Sequence, residues 1–136
     1  MKVPFEGGCA CGAVRYESAA EPTAMFYCHC RDCQRASGGG HSTVVYVPMS
    51  GFKVTKGELR HYYTPSVRGG QNKRGFCAAC GSRISGGESE RGIGLNAASL
   101  DDPSLFQPTF DIFTDDAQPW DPLDDNRTHF PRYPSG

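Results

Sequence analysis

The sequence predicts a mainly β domain, and three observations carry that prediction. Short β-type runs alternate with turn signals along most of the chain. Seventeen glycines and ten prolines among 136 residues put much of the backbone into turns. Only two places suit a helix, and both are short. The length is that of one ordinary domain, spanning 1–136. Apolar residues make up 38% of it. That permits a core but not a generous one, so something besides apolar burial should help to hold the fold.

The elements follow in chain order. The clearest strands are 13–16 (Ala-Val-Arg-Tyr), 24–27 (Ala-Met-Phe-Tyr), 42–47 (Ser-Thr-Val-Val-Tyr-Val) and 59–63 (Leu-Arg-His-Tyr-Tyr). Weaker ones are 52–55, the approach to Cys77, 92–95 and 109–113. Glycine clusters at 38–40, 69–70 and 86–87 separate them. One helix is expected at 31–37. The other lies near 101–106, where Asp102 before Pro103 has the form of an N-cap with proline at N1. Pro119, Pro122, Pro131 and Pro134 make 119–136 an extended C-terminal strap.

Charge and hydropathy exclude several classes. Twelve Lys/Arg stand against seven Asp/Glu in residues 1–100, and two against eight in 101–136. An acidic tail folded over a basic body explains that split, and the basic body could also draw anionic substrates. A net charge of −1 gives no support for nucleic-acid binding. There is no apolar run of the ~18–20 residues that a membrane span needs, and no signal-peptide pattern at the N-terminus. The expected location is the cytoplasm, where thiols stay reduced.

Seven cysteines fall into three groups: Cys9-x-Cys11, Cys28-x-Cys30-x-x-Cys33 and Cys77-x-x-Cys80. An odd count of closely spaced thiols in a reducing compartment argues against disulfides. Residues i and i+2 of a strand share a face, so C-x-C can chelate one ion. C-x-x-C does the same across a tight turn, which Gly81 helps to close. Two chelating pairs make a tetrahedral thiolate site for zinc. Structural zinc takes four protein ligands, whereas catalytic zinc keeps a position open, and seven is four plus three. The preferred partition is a closed site of Cys9, Cys11, Cys77 and Cys80 and an open one of Cys28, Cys30 and Cys33. Spacing also permits a site of Cys28, Cys30, Cys77 and Cys80 with Cys9 and Cys11 free, but that strands Cys33.

No histidine has ligand-like spacing. His29, between Cys28 and Cys30, should point away from their metal, and His41, His61 and His129 read as solvated or packed. His29 and His41 are nearest in sequence to the open site, where they could shuttle a proton.

These motifs resemble a known family. Gly7-Gly8-Cys9-Ala10-Cys11-Gly12, Cys28-His29-Cys30-Arg31-Asp32-Cys33-Gln34 and Phe76-Cys77-Ala78-Ala79-Cys80-Gly81 run in the order found in the glutathione-dependent formaldehyde-activating enzyme and centromere-protein-V family. The likeness covers about residues 3–122, including 98–103 and 117–120. It implies stacked antiparallel sheets related to methionine-R-sulfoxide reductase folds. It also implies two zinc ions per chain: a structural one on Cys9, Cys11, Cys77 and Cys80, and a functional one on the catalytic Cys28, Cys30 and Cys33. The implied activity is that of a carbon–sulfur lyase joining glutathione, a small thiol, to formaldehyde, a small aldehyde, as S-hydroxymethylglutathione, or the reverse. The alternative is a non-catalytic zinc-binding interaction module. No motif assigns the carboxylates of glutathione. Arg31, Arg35, Arg68 and Arg74 are candidates by proximity, although each reads first as a surface charge. Trp120 could line a pocket, but capping the core suits it better.

Overall fold

The computed structural model describes residues 1–134. Two sheets stack on each other. The smaller is antiparallel and consists of β1 (Phe5–Gly8), β2 (Arg15–Ser18) and β5 (Phe52–Lys56) in the order β1-β2-β5. The larger contains β3 (Ala24–Cys28), β4 (Ser42–Pro48), β6 (Arg60–Pro65), β7 (Gln71–Phe76), β8 (Arg83–Gly86), β9 (Gly92–Asn96), β10 (Phe110–Ile112) and β11 (Thr128–His129). Its order is β11-β10-β3-β4-β9-β8-β7-β6. One helix, α1 (Arg31–Ser37), follows β3.

Alternation along the strands gives each face of the large sheet its own task. Val45 and Val47 of β4, Ile84 of β8, and Ile93 and Leu95 of β9 pack toward the small sheet. There they meet Phe5, Val14 and Tyr16 in the main core. Val44 and Tyr46, the neighbours of those β4 residues, line a cavity on the other face together with Gly94 and Asn96 of β9. Gly7, opposite Tyr16 in the small sheet, leaves room for that ring: a Cβ there would collide with the Tyr16 ring and the Ser99 carbonyl.

Several expectations need correction. The strand expected at 13–16 begins at Arg15, because 10–13 form a turn, and β1 was not anticipated. Cys9 and Cys11 therefore sit in the turn between β1 and β2 rather than on a strand. The sheets are not wholly antiparallel: β10 runs parallel to both β3 and β11. Long connections bring these segments to one edge in the same direction, which no local pattern reveals. Near 101–106 there is only a 3₁₀ turn, Pro103–Leu105, capped as expected by Asp102, which accepts from the Ser104 N–H. The strap is not simply extended, since Thr128–His129 adds to the β10 edge; its residues 135 and 136 lie outside the described residues. Trp120 does not cap the core. It is 66% exposed, because its neighbour Asp121 turns inward instead. Among the described residues no helix is long and apolar enough to cross a membrane.

Candidate metal centres

Two tight turns bring Cys9, Cys11, Cys77 and Cys80 together, with all four sulfurs within 4.8 Å of one another. Gly12, at φ 80°, lets the first turn close, and Gly81, at φ 78°, closes the second. The Val14 N–H donates to Cys9 Sγ at 3.2 Å, and the Ala10 N–H reaches across to Ser82 Oγ at 3.0 Å. Cys9 and Cys11 sulfurs are 3.7 Å apart, and those of Cys11 and Cys77 3.9 Å. Four sulfurs at ~2.3 Å from one zinc lie about 3.8 Å apart, so the group fits a tetrahedral thiolate site. Without a cation the sulfurs oppose one another's ionisation. Ser82, through its hydroxyl and backbone N–H, brings Cys80 down to about 5. Against a favourable backbone bond at Ala13, the sulfurs of Cys9 and Cys80 push Cys11 up to about 11.

The second group comes from one short segment. Cys28 ends β3, Cys30 caps α1, and Cys33 lies in the first turn of the helix. Cys30 Sγ accepts from the Cys33 N–H at 3.3 Å, and all three sulfurs lie within 4.8 Å. Gly38, at φ 76°, ends the helix with its N–H on the Gln34 carbonyl. Negative charge concentrates on Cys33. Hydrogen bonds from Cys28 and Cys30, with the charge of Arg83 and the Ser42 hydroxyl, hold its thiol far below the ordinary value. Cys28 is correspondingly pushed well above it.

These three cysteines sit at one side of a cavity of about 710 Å³. Phe26, Phe110, Phe113 and Tyr133 form apolar wall, and five arginines project onto it: Arg31, Arg68, Arg74, Arg83 and Arg91. Asp32 and Asp116 are its only carboxylates among the described residues. Arg74 is not the surface charge its sequence context suggested. It is 4% exposed, with Nη1 3.9 Å from Cys33 Sγ and Nε donating to Thr64 Oγ1 at 3.0 Å. Its burial opposes the charge, but the Cys33 thiolate beside it keeps the guanidinium protonated. Arg68 lies 3.8 Å over the Tyr133 ring, and Arg31 bonds to Gln34. Arg35 is the surface group it was expected to be: it pairs with Asp32 at 3.8 Å but does not itself line the cavity.

Sequence reasoning missed Arg83, whose Nη1 donates to Ser42 while its Nε is buried without a partner. Alternation about Ile84, a core residue of β8, could have pointed to it. Arg91 and Tyr133 carried no signal, since they reach the cavity from a loop and from the strap. His29 does turn away from the neighbouring cysteines, and neither it nor His41 lines the cavity, so the expected proton shuttle is not in place. His61 lies 3.6 Å from Glu88, and His129 Nε2 is 2.8 Å from the Asp124 carbonyl.

A crystal structure of a Rhodobacter sphaeroides protein has the same fold, with a TM-score of 0.61 at 24% identity over 76% of this chain and 97% of that one. The family model for glutathione-dependent formaldehyde-activating enzymes matches residues 4–116, which include all seven cysteines. The chain belongs to the glutathione-dependent formaldehyde-activating enzyme family.

Proposed function

We propose that the chain is a zinc-dependent carbon–sulfur lyase-type enzyme that joins glutathione to formaldehyde, or a related thiol to a small aldehyde, and runs the reverse. Cys28, Cys30 and Cys33 would hold the functional zinc, and Cys9, Cys11, Cys77 and Cys80 a structural one. The observation that carries this reading is the arginine-rich cavity opening on a three-cysteine group. Three thiolates leave one tetrahedral position for an outside ligand. When bound, zinc supplies a Lewis-acidic position that favours the thiolate form of an incoming thiol.

The chain's own residues do the rest. Arg68 and Arg91, exposed at the rim, attract the carboxylates of the substrate. Arg74 and Arg83 bring two positive charges beside Cys33, offsetting the negative charge that three thiolates accumulate. In the addition the glutathione sulfur attacks the aldehyde carbon, a C–S bond forms, and the C=O π bond breaks. The oxygen takes up one proton, equal to the one that the thiol gives up. Arg83 Nε, a buried donor without a partner, suits the negative charge growing on that oxygen.

Exchange NMR of glutathione with formaldehyde tests the proposal. The zinc-loaded protein should speed interconversion with S-hydroxymethylglutathione above the uncatalysed rate, and Cys33→Ala should not, while staying folded with one zinc. Unchanged exchange with the wild type would leave a non-catalytic zinc-binding module.

A further inference from the structure

The segment that places Cys28 and Cys30 on the cavity turns His29 to the opposite side, where it is 2% exposed. Its Nε2 lies 2.7 Å from Asp111 Oδ1. Asp111 is fully buried on β10, and its Oδ2 accepts from Arg127 Nε at 2.8 Å. Burial works against the Asp111 charge, but hydrogen bonds from Arg127 and His29 outweigh it and keep the carboxyl ionised. An ionised carboxylate only accepts, so the proton of this hydrogen bond belongs to His29 Nε2. In the neutral ring, Nδ1 is then a bare lone pair.

That lone pair has no partner, although it is buried. It points at another anion, since Asp121 Oδ2 lies 3.6 Å away. The same oxygen is 2.7 Å from His41 Nδ1. Asp121 arrives from the C-terminal strap, and Gly40 makes room for it: a Cβ at Gly40 would fall on the Asp121 carboxyl group. A buried lone pair facing a carboxylate is repulsive as it stands. A cation between them makes both groups ligands, and one ligand atom each from His29, His41 and Asp121 already lies within 4.8 Å of the other two.

We propose that His29 Nδ1, His41 Nδ1 and Asp121 bind a first-row divalent cation, separate from both cysteine groups. Two imidazoles and a carboxylate suit Zn²⁺, Co²⁺ or Ni²⁺ better than Mg²⁺ or Ca²⁺. Asp111 supplies the outer carboxylate that fixes the tautomer and orientation of a ligating histidine. His41 and Asp121, with side chains 30% and 19% exposed, give the ion a way in and leave its remaining positions to water. Bound there, the ion ties the strap to the Cys28–Cys30 segment and to the loop after α1. The site does not open on the cavity, so it braces the three-cysteine group from behind.

The test titrates the full chain, its cysteine groups already filled with zinc, with Co²⁺, and separately with Zn²⁺ by calorimetry. One further equivalent should bind, giving cobalt d–d bands without thiolate-to-cobalt charge transfer. His41→Ala and Asp121→Asn should each abolish that equivalent and keep the zinc already bound. Two results overturn the proposal: no further equivalent in the wild type, meaning that a proton on His29 balances Asp121 alone, or an equivalent that survives both substitutions. The absence of charge transfer separates this outcome from any change at the cysteines.

Discussion

Replacing Cys80 and Cys33 separately by alanine sets two explanations of stability against each other. Cys80 is exposed and Cys33 is 5% exposed, so burial alone makes Cys33→Ala the more damaging change. Metal closure predicts the reverse. The group containing Cys80 joins the first hairpin turn to the end of β7, across the 66-residue separation of Cys11 and Cys77. Cross-linking a loop of that length removes about 3.7 kcal/mol of chain entropy by (3/2)RT ln n, against about 1.4 kcal/mol for the five steps from Cys28 to Cys33. Structural zinc sites carry apparent binding free energies of about 10–16 kcal/mol, comparable with the roughly 5–15 kcal/mol that holds a whole domain folded. Losing one of four ligands should therefore take most of the stability. Cys33→Ala should lose roughly 1–2 kcal/mol, as an ordinary buried truncation does, and lower Tm by roughly 4–8 °C. The assay is thermal unfolding by circular dichroism, with zinc analysis of the same samples. Cys80→Ala should show no cooperative transition, and Cys33→Ala a shifted but cooperative one. Equal damage, or more damage from Cys33→Ala, would refute the division into structural and functional groups.

Two other expectations concern charge. Arg83→Met should lower kcat/KM for S-hydroxymethylglutathione formation about 100-fold, the scale of losing one donor at a developing oxyanion; unchanged kinetics in a folded variant would remove Arg83 from the site. Burial pushes the Tyr16 phenol up to about 12, against its hydrogen bond with Ser99. Below the unfolded value of about 10 both states are protonated and stability is complete; above it the unfolded chain ionises first, and about 2.3 kcal/mol is lost by pH 12. Tyr16→Phe, weaker than wild type by about 1 kcal/mol at pH 8 for want of the hydrogen bond, should overtake it by pH 12 in urea unfolding. Parallel pH curves would count against a buried, neutral Tyr16.

What the sequence made legible was local. The strands at β3, β4 and β9, the helix after Cys30 and the cysteine groups follow from alternation, caps and spacing within a few residues. The parallel edge did not, because pairing of β10 with β3 and β11 depends on which free edge remains after the other strands have formed. Arg74 was misread for a related reason. A buried guanidinium is tolerated only where opposite charge awaits it, and here that charge is Cys33, 41 residues earlier. The unpartnered Nδ1 of His29 is equally non-local: it exists because Asp111 fixes one nitrogen and Asp121, arriving from the strap, faces the other.

Strand β7 makes the two cysteine groups depend on each other. Cys77, at its end, belongs to the main core between the sheets, whereas Arg74 projects from the other face into the cavity. The two are three residues apart, an odd step that puts them on opposite faces of a strand, and a bulge between Gly75 and Phe76 adjusts the register where β8 joins. Gly75 has no room for a Cβ, which would strike Ser85. A metal held by the four-cysteine group would thus pin the strand at its end, and β8 pins it along its side. That fixes Arg74 beside Cys33 without any flexible side-chain search. In turn, a guanidinium buried there is stable only while the thiolates opposite it are charged. A metal on the four-cysteine group would therefore do more than raise stability: through β7 it would set the electrostatics around the three-cysteine group.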